Sequence, residues 1–92
     1  MSDYIRHRVK EVKPLPNYML EVTFISNERK FYNISLLLNK WKIFMLLKQI
    51  PKLFEQVHIV CKGYAVAWND DIDLDCNELY YNGKNIGAMV DI

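Results

Sequence analysis

The sequence has little of what catalytic and metal-binding sites require. Three glycines are too few, and too widely spaced, for a phosphate-binding loop. The two histidines and two cysteines do not occur at the short paired spacings that a structural zinc site uses. Neither histidine has a serine or cysteine at a spacing that indicates a nucleophilic pair. We therefore expect no enzyme, no metal site and no bound cofactor.

The sequence also lacks an excess of one charge and a long apolar run. Its 92 residues include 12 Lys and Arg against 11 Asp and Glu, for a net charge of +1, whereas nucleic-acid binding needs a basic excess. No stretch approaches the ~20 apolar residues that span a membrane. The first ten residues are too polar for a signal peptide. The 51% of hydrophobic residues and the length predict one folded domain over residues 1–92. We expect it to be cytoplasmic, with neither nucleic acid nor a membrane as its partner.

Apolar and polar residues alternate through the first third of the chain, which predicts three antiparallel strands. The first strand alternates over residues 4–9, the change of phase at residues 10–11 indicates a bulge or a late strand start, and residues 14–17 end the strand. The second strand has four apolar residues on one face: Tyr18, Leu20, Val22 and Phe24. A turn over residues 26–29 leads to a short third strand at residues 30–32.

The central segment, residues 34–47, is apolar at ten of fourteen positions, which is too many for a surface helix with one apolar stripe. We predict two short helices, with an N-cap at Asn33 or Ser35 and a break around residues 39–42. A small domain has little room to bury so many large side chains, so we expect part of the segment to form an association surface. Its proposed anchors are Trp41, Phe44 and Met45. A charged rim of Lys40, Lys42 and Lys48 would attract an acidic partner. The alternative is that all ten apolar residues are core.

The last third of the chain predicts further strands. One helical turn over residues 51–55 precedes a hairpin, whose strands at residues 57–61 and 64–68 flank Lys62-Gly63. Residues 72–74 form a last short strand, and Asp75 caps a helix over residues 76–81 with Glu78 as capping-box partner. The pattern assigns nothing to residues 86–92. We expect reduced, largely buried thiols at both cysteines, Cys61 and Cys76.

These elements predict the α+β class. The expected fold is a small single domain with three N-terminal and two to three C-terminal antiparallel strands around short central helices.

Acidic residues cluster near the predicted last strand, at Asp70, Asp71, Asp73, Asp75 and Glu78. Oxygen-rich clusters bind Ca²⁺ or Mg²⁺. An EF-hand loop that began at Asp71 would place Cys76 where glycine is needed and Asn82 where glutamate is needed. We therefore expect these acids to form a turn, an exposed strand face and a helix cap.

A basic row occupies one face of the first predicted strand: Arg6, Arg8 and Lys10. Such a row either protects an edge strand from aggregation or contacts phosphate or an acidic protein. Both interpretations stay open, and Arg6 and Arg8 are candidate partner-binding residues.

Two stretches of the sequence carry the pattern of a known family. The first runs from Tyr18-Met19-Leu20-Glu21-Val22-Thr23-Phe24 to Asn27-Glu28-Arg29-Lys30-Phe31-Tyr32. The second has Ala67-Trp68-Asn69-Asp70 followed by Asp73-Leu74, and its most specific residues are Trp68, Asp73 and Leu74. Over roughly residues 8–81 the chain resembles the small bacterial family catalogued as domain of unknown function 2442. That family often has proline and glycine where this chain has Asn69 and Asp71, which changes the turn and leaves the strands intact.

The resemblance implies a small α+β domain without assigned catalytic residues. Members are often encoded beside a protein of the domain of unknown function 4160 family, an arrangement that looks like a toxin–antitoxin pair. We therefore predict a protein-interaction module, the antitoxin-like member of such a pair, which binds that protein or a second copy of itself. The alternative is a small-ligand-binding domain in which Trp68, Tyr64 and the acidic turn line a pocket, although the same strand face is also typical of a core.

Overall fold

Two antiparallel sheets cover a shared hydrophobic core in the computed structural model, which describes residues 5–38 and 40–85. The strands are β1 (Val9–Leu15), β2 (Met19–Phe24), β3 (Arg29–Asn33), β4 (His58–Val60), β5 (Ala65–Asn69), β6 (Ile72–Asp75) and β7 (Lys84–Asn85). One sheet has the order β1-β2-β3-β7 and the other β4-β5-β6. The predicted α+β class is confirmed.

The helical elements are short. They are α1 (Leu46–Gln49), α2 (Cys76–Asn82) and 3-10 helices at Pro16–Tyr18, Ile34–Leu37, Lys42–Met45, Phe54–Gln56 and Cys61–Gly63. Within the described parts of the chain, none of the helices has the length and apolar character needed to cross a membrane.

The predicted alternation in the second strand is confirmed. Leu20, Val22 and Phe24 are buried, and the residues between them are half-exposed. Tyr18 does not share that strand face, because it ends the preceding 3-10 helix with a left-handed φ of 60°. The predicted irregularity after Val9 is also confirmed, since the β1–β2 register shifts between Val9 and Glu11.

The first strand begins at Val9, near the predicted late start, rather than at residue 4, and its predicted end at residues 14–17 is confirmed. Residues 5–8 have no regular structure, and residue 4 lies outside the described residues. The reason is tertiary: Asn77 Nδ2 donates to the Ile5 carbonyl and His7 N–H donates to Asn77 Oδ1, both at 2.8 Å. Backbone groups that a strand would use are therefore bonded to a side chain of α2. At the other end β1 stops at Leu15, within the predicted range, and it includes Pro14, which an edge strand tolerates.

The central segment divides as predicted. Asn33 is the N-cap of its first helix, because Asn33 Oδ1 accepts from Ser35 N–H at 2.9 Å. The helical backbone is interrupted between Leu37 and Lys42. Of the ten apolar residues, five are buried, namely Ile34, Leu37, Leu38, Phe44 and Leu47. Met45 and Leu46 are partly buried, and Leu36, Trp41 and Ile43 are exposed. The alternative that all ten apolar residues are core is therefore wrong, because the segment contributes residues to both the core and the surface.

The C-terminal elements follow the prediction with local shifts. The helical turn lies at Phe54–Gln56 rather than over residues 51–55, because Lys52 has a left-handed φ of 65° that a right-handed turn excludes. The β4–β5 hairpin turns through Cys61–Gly63, where Gly63 has a φ of 98°. A Cβ at Gly63 would lie 2.7 Å from the Val9 carbonyl oxygen, so this close approach of the hairpin to β1 requires glycine.

Two further sequence predictions are corrected by side-chain positions. Asp75 caps α2 as predicted, accepting from Asn77 N–H at 2.9 Å, but Glu78 accepts from the Tyr32 hydroxyl at 2.7 Å instead of completing a capping box. Both cysteines are free, with Cys76 buried as predicted, whereas Cys61 is exposed because it lies in the hairpin turn. The unassigned residues 86–92 lie outside the described residues.

Candidate functional site

A groove of about 410 Å³ lies between the central segment and β6. We call it the acidic groove, and it is lined by Trp41, Ile43, Phe44, Asp71, Asp73, Leu74, Asp75 and Glu78. One wall is aromatic and aliphatic, and the other carries carboxylates. The groove brings together two sets of residues that are 27 or more positions apart in sequence, counting from Phe44 to Asp71.

The apolar wall is exposed at its rim and anchored in the core. Trp41 is 43% exposed and Ile43 is 40% exposed, whereas Phe44 is only 4% exposed. The ring centroids of Trp41 and Phe44 are 5.9 Å apart, and Phe44 in turn meets Trp68 edge-on at 6.0 Å. Trp41 therefore rests on a ring that the core holds in place, which orients its exposed surface without burying it.

The acidic wall follows from the alternation of β6. Ile72 and Leu74 point into the core, so Asp73 and Asp75 are exposed on the opposite face. Asp71 precedes this strand in a turn that Asn69 organises, since Asn69 Oδ1 accepts from the backbone N–H of Asp71 at 2.8 Å and of Ile72 at 3.0 Å. Turn, exposed strand face and cap are the positions that the sequence predicted for these acids.

The carboxylates of the acidic groove do not gather around one point. Within residues 5–38 and 40–85, no group of three or more His, Cys, Asp or Glu residues could hold a metal ion. In the same part of the chain, no ion pair reaches Asp71 or Asp73. Both carboxylates line the acidic groove, Asp71 from the turn before β6 and Asp73 from the exposed face of that strand.

A model of the family described as "Protein of unknown function (DUF2442)" matches residues 9–85. The chain belongs to this family. The match confirms the resemblance drawn from the sequence and extends it by a few residues through β7. No curated protein and no solved structure matches the chain.

The DUF2442 motif residues Trp68, Asp73 and Leu74 lie on the paired strands β5 and β6 and serve different ends. Trp68 is 3% exposed and its Nε1–H donates to the Phe54 carbonyl at 3.0 Å, so both its ring and its polar atom are satisfied inside the protein. Leu74 is buried beneath the groove, whereas Asp73 is exposed in it. Trp68 and Leu74 are therefore core residues, whereas Asp73 is exposed on the acidic wall of the groove.

The ligand pocket predicted around Trp68 and Tyr64 does not form in the described residues. Trp68 faces the core, and Tyr64 lies outside β5 with 39% of its surface exposed. The Tyr64 ring is covered by Arg6 and Arg8, whose guanidinium carbons lie 5.5 and 5.2 Å from its centroid. Tyr64 is the C-cap residue of the hairpin turn and has a helical backbone, with φ of −78° and ψ of −10°, so the strand alternation that predicted a shared face begins only after it.

The two arginines proposed as partner-binding residues make contacts within the chain. Arg6 forms an ion pair with Asp75 at the end of the acidic groove. The Arg8 guanidinium donates twice to the Lys62 carbonyl, at 3.0 and 2.9 Å. Together they hold residues 5–8 against the hairpin and the start of α2, so they do not form the predicted row on a strand.

The three proposed anchors of the association surface separate in the structure. Trp41 remains exposed, whereas Phe44 is a core residue that reaches the groove only at its base. Met45 is partly buried against the core. Sequence reasoning missed Ile43 and Asp71 as groove residues, because helical periodicity and a turn assignment do not show which surfaces will face each other.

A second groove, of about 480 Å³, lies between the end of β1 and α1. Three residues at its edge have left-handed backbones, Asn17, Tyr18 and Lys52. The charged residues that line it are of both signs, Lys48, Lys52 and Glu55. This groove therefore favours no class of ligand, whereas the acidic groove has one sign of charge and an exposed tryptophan.

Proposed function

We propose that this DUF2442 protein is a non-catalytic protein-interaction module of the cytoplasm, and that its binding surface is centred on Trp41. The observation that carries the proposal is the exposure of Trp41 and Ile43 side by side at the rim of the acidic groove. Tryptophan is among the residues that contribute most to binding when an interface buries them. A partner that covers this rim gains an apolar anchor whose orientation Phe44 already holds.

Binding at this rim would cost little conformational entropy. The Trp41 ring is supported by Phe44, which is packed against Trp68, so the anchor does not have to be ordered when a partner arrives. An anchor held in its bound orientation avoids part of the ordering cost of association. This support favours an interaction role for Trp41 over an incidental exposed side chain.

The partner that we propose first is a protein of the domain of unknown function 4160 family, with this chain as the antitoxin-like member of the pair. The support is the association of the two families that the resemblance implies. A second copy of this chain is the other protein partner that a rim of this kind accommodates. Small-ligand binding is less well supported, because the side chains predicted to line its pocket are divided between the core and the arginine contacts of Tyr64.

The test is co-expression with a 4160-family protein from the same genome, followed by co-purification and sedimentation of the isolated chain at about 50 μM, above the Kd of a micromolar dimer. We expect a stable complex or a dimer that Ile43→Ala and Trp41→Ala both weaken. Ile25→Ala is the matched control, since Ile25 is also an exposed isoleucine and lies outside the groove.

The proposal fails if the chain is a monomer and the co-expressed protein does not co-purify with it. It fails equally if a complex forms but withstands both groove substitutions in variants that melt as the parent does. Weakening by Ile25→Ala to the same extent would show that general loss of apolar surface, rather than this rim, is responsible.

A further inference from the structure

We infer that the acidic groove binds a basic segment of the partner protein, with an Arg or Lys side chain against Trp41 and Asp73 and an adjacent apolar side chain on Ile43. This inference rests on the proposed function and adds the chemistry of the partner. The sequence alone suggested the opposite sign, because Lys40, Lys42 and Lys48 led us to expect an acidic partner. The structure places the carboxylates, rather than these lysines, along the groove.

The charge of the groove differs from that of the whole chain. The chain carries a net charge of +1, yet every charged side chain that lines the groove is acidic, from Asp71, Asp73, Asp75 and Glu78. Asp75 is paired with Arg6 and Glu78 is bonded to Tyr32, which leaves Asp71 and Asp73 without an ion pair in the described parts of the chain. A basic segment complements this wall, whereas an acidic one would be repelled by it.

Two cations of the chain already contact residues of this surface. The Arg6 guanidinium is paired with Asp75 and lies near the Tyr64 ring. The Lys40 ammonium lies 5.0 Å from the centroid of the Trp41 ring. Each contact combines a cation with an aromatic face, an arrangement that is favourable when partly desolvated. A partner's cation would repeat this chemistry at Asp73, where the described residues supply none.

The apolar rim explains why the expected occupant is a protein segment rather than a free cation. Trp41 and Ile43 expose surface that a metal ion or a small amine would leave in contact with water. Covering this surface needs an apolar side chain close to the basic one, which a peptide supplies at neighbouring positions. The carboxylates also do not converge enough, within the described residues, to coordinate one ion.

The experiment is selection of a phage-displayed random peptide library on the immobilised full chain, followed by measurement of the selected peptides in solution. We expect the selected peptides to be enriched in Arg or Lys next to an aliphatic or aromatic residue. Their affinity should fall about tenfold or more in the Asp71→Asn, Asp73→Asn double variant. A matched control, Asp70→Asn with Glu11→Gln, removes the same charge from exposed acids outside the groove and should change affinity little.

The two tryptophans provide an independent signal. Trp41 is exposed at the groove and Trp68 is buried, so a peptide bound in the groove should change the emission of Trp41 alone. Trp41→Phe should remove this signal while it retains most of the affinity, because the ring face remains. Trp41→Ala should remove both.

The inference is overturned if selection yields no peptides or yields neutral or acidic ones. It is also overturned if the double variant and its control weaken binding equally. Either result can coexist with a complex or dimer that depends on Trp41 and Ile43, in which case the proposed function stands and only the partner's chemistry is wrong. Loss of that dependence instead contradicts the proposed function itself.

Discussion

The two tryptophans differ sharply in how much of each side chain is exposed to solvent. Trp68 lies on β5 and is 3% exposed, with its indole N–H bonded to the Phe54 carbonyl. Trp41 is the N-cap residue of a short helix and is 43% exposed, and its side chain makes no capping hydrogen bond. Phe44 lies between them and contacts both rings. A sheet strand buries alternate residues completely, whereas a short interrupted helix can bury only part of a segment that is apolar on all sides.

The largest effect expected is that of Trp68→Ala. This substitution removes a buried ring and leaves the Phe54 carbonyl without its donor, so we expect a loss of roughly 3–5 kcal/mol in the free energy of unfolding. Urea denaturation measures it. A midpoint and slope unchanged from the parent would show that Trp68 is not the core residue described here.

Phe44→Ala should follow, with a loss of about 3 kcal/mol because a buried aromatic ring is truncated. The same variant should also weaken groove binding, since Trp41 loses the ring on which it rests. Urea denaturation and peptide titration together test this link. Binding that is intact in a destabilised Phe44→Ala chain would show that Trp41 is oriented by something else.

Two tyrosine–glutamate hydrogen bonds offer a similar comparison, because the bond from Tyr32 to Glu78 is partly buried and the bond from Tyr80 to Glu28 is exposed. Tyr32 is buried and donates to Glu78 at 2.7 Å, and burial followed by this bond raises the pKa of Tyr32. We expect Tyr32→Phe to cost about 1–2 kcal/mol, because Glu78 loses a donor in a partly buried site. Thermal melting should show the loss, and a melting temperature above that of the parent would contradict this role.

Trp41→Ala should have a small effect on stability, about 1 kcal/mol or less, because nearly half of the side chain is already in contact with water. The contrast with Trp68→Ala is the direct test of the comparison. If the two variants lose similar stability in parallel urea titrations, the distinction between a core tryptophan and a surface tryptophan does not hold.

The smallest effect expected is that of Tyr80→Phe, and it should depend on pH. Tyr80 donates to Glu28 at 2.8 and 2.9 Å, and this bond is the main cause of the lowered pKa of Glu28. A lowered carboxyl pKa adds stability above the ordinary pKa and loses it as the pH falls through the folded-state value. The difference in melting temperature between Tyr80→Phe and the parent should therefore be present near about pH 7 and shrink on acidification. A difference that grows as the pH falls would contradict this assignment.

Local patterns were sufficient where neighbours in sequence determine the outcome. The alternation in β2, the Asn33 and Asp75 caps, the break in the central segment and the exposed face of β6 all follow from spacing and side-chain chemistry. The family was also evident from motif residues. The candidate site was predicted only in part: Trp41 is exposed in the groove, as its predicted anchor role requires, but Phe44 belongs to the core.

Long-range partners explain the errors. Residues 5–8 have a strand-like pattern, yet they are held by Asn77 and by the arginine contacts to Asp75 and Lys62, more than 50 positions away. Glu78 has the spacing of a capping box, yet Tyr32 competes for it from β3. Neither competitor can be identified from the local pattern that it overrides.

The sequence by itself determined the class of the fold, the faces of β2 and β6, and the presence of more apolar residues in the central segment than a small core holds. The tertiary structure alone decided which of those residues stayed at the surface, and which surface they faced. That choice depends on how the central segment packs against β5 and β6, because packing buries Phe44 on Trp68 and leaves Trp41 exposed in the groove that Asp73 also lines. The sign of charge across the groove is therefore a property of the packed elements, since the carboxylates that line it with Trp41 come from a segment 30 or more positions away in sequence.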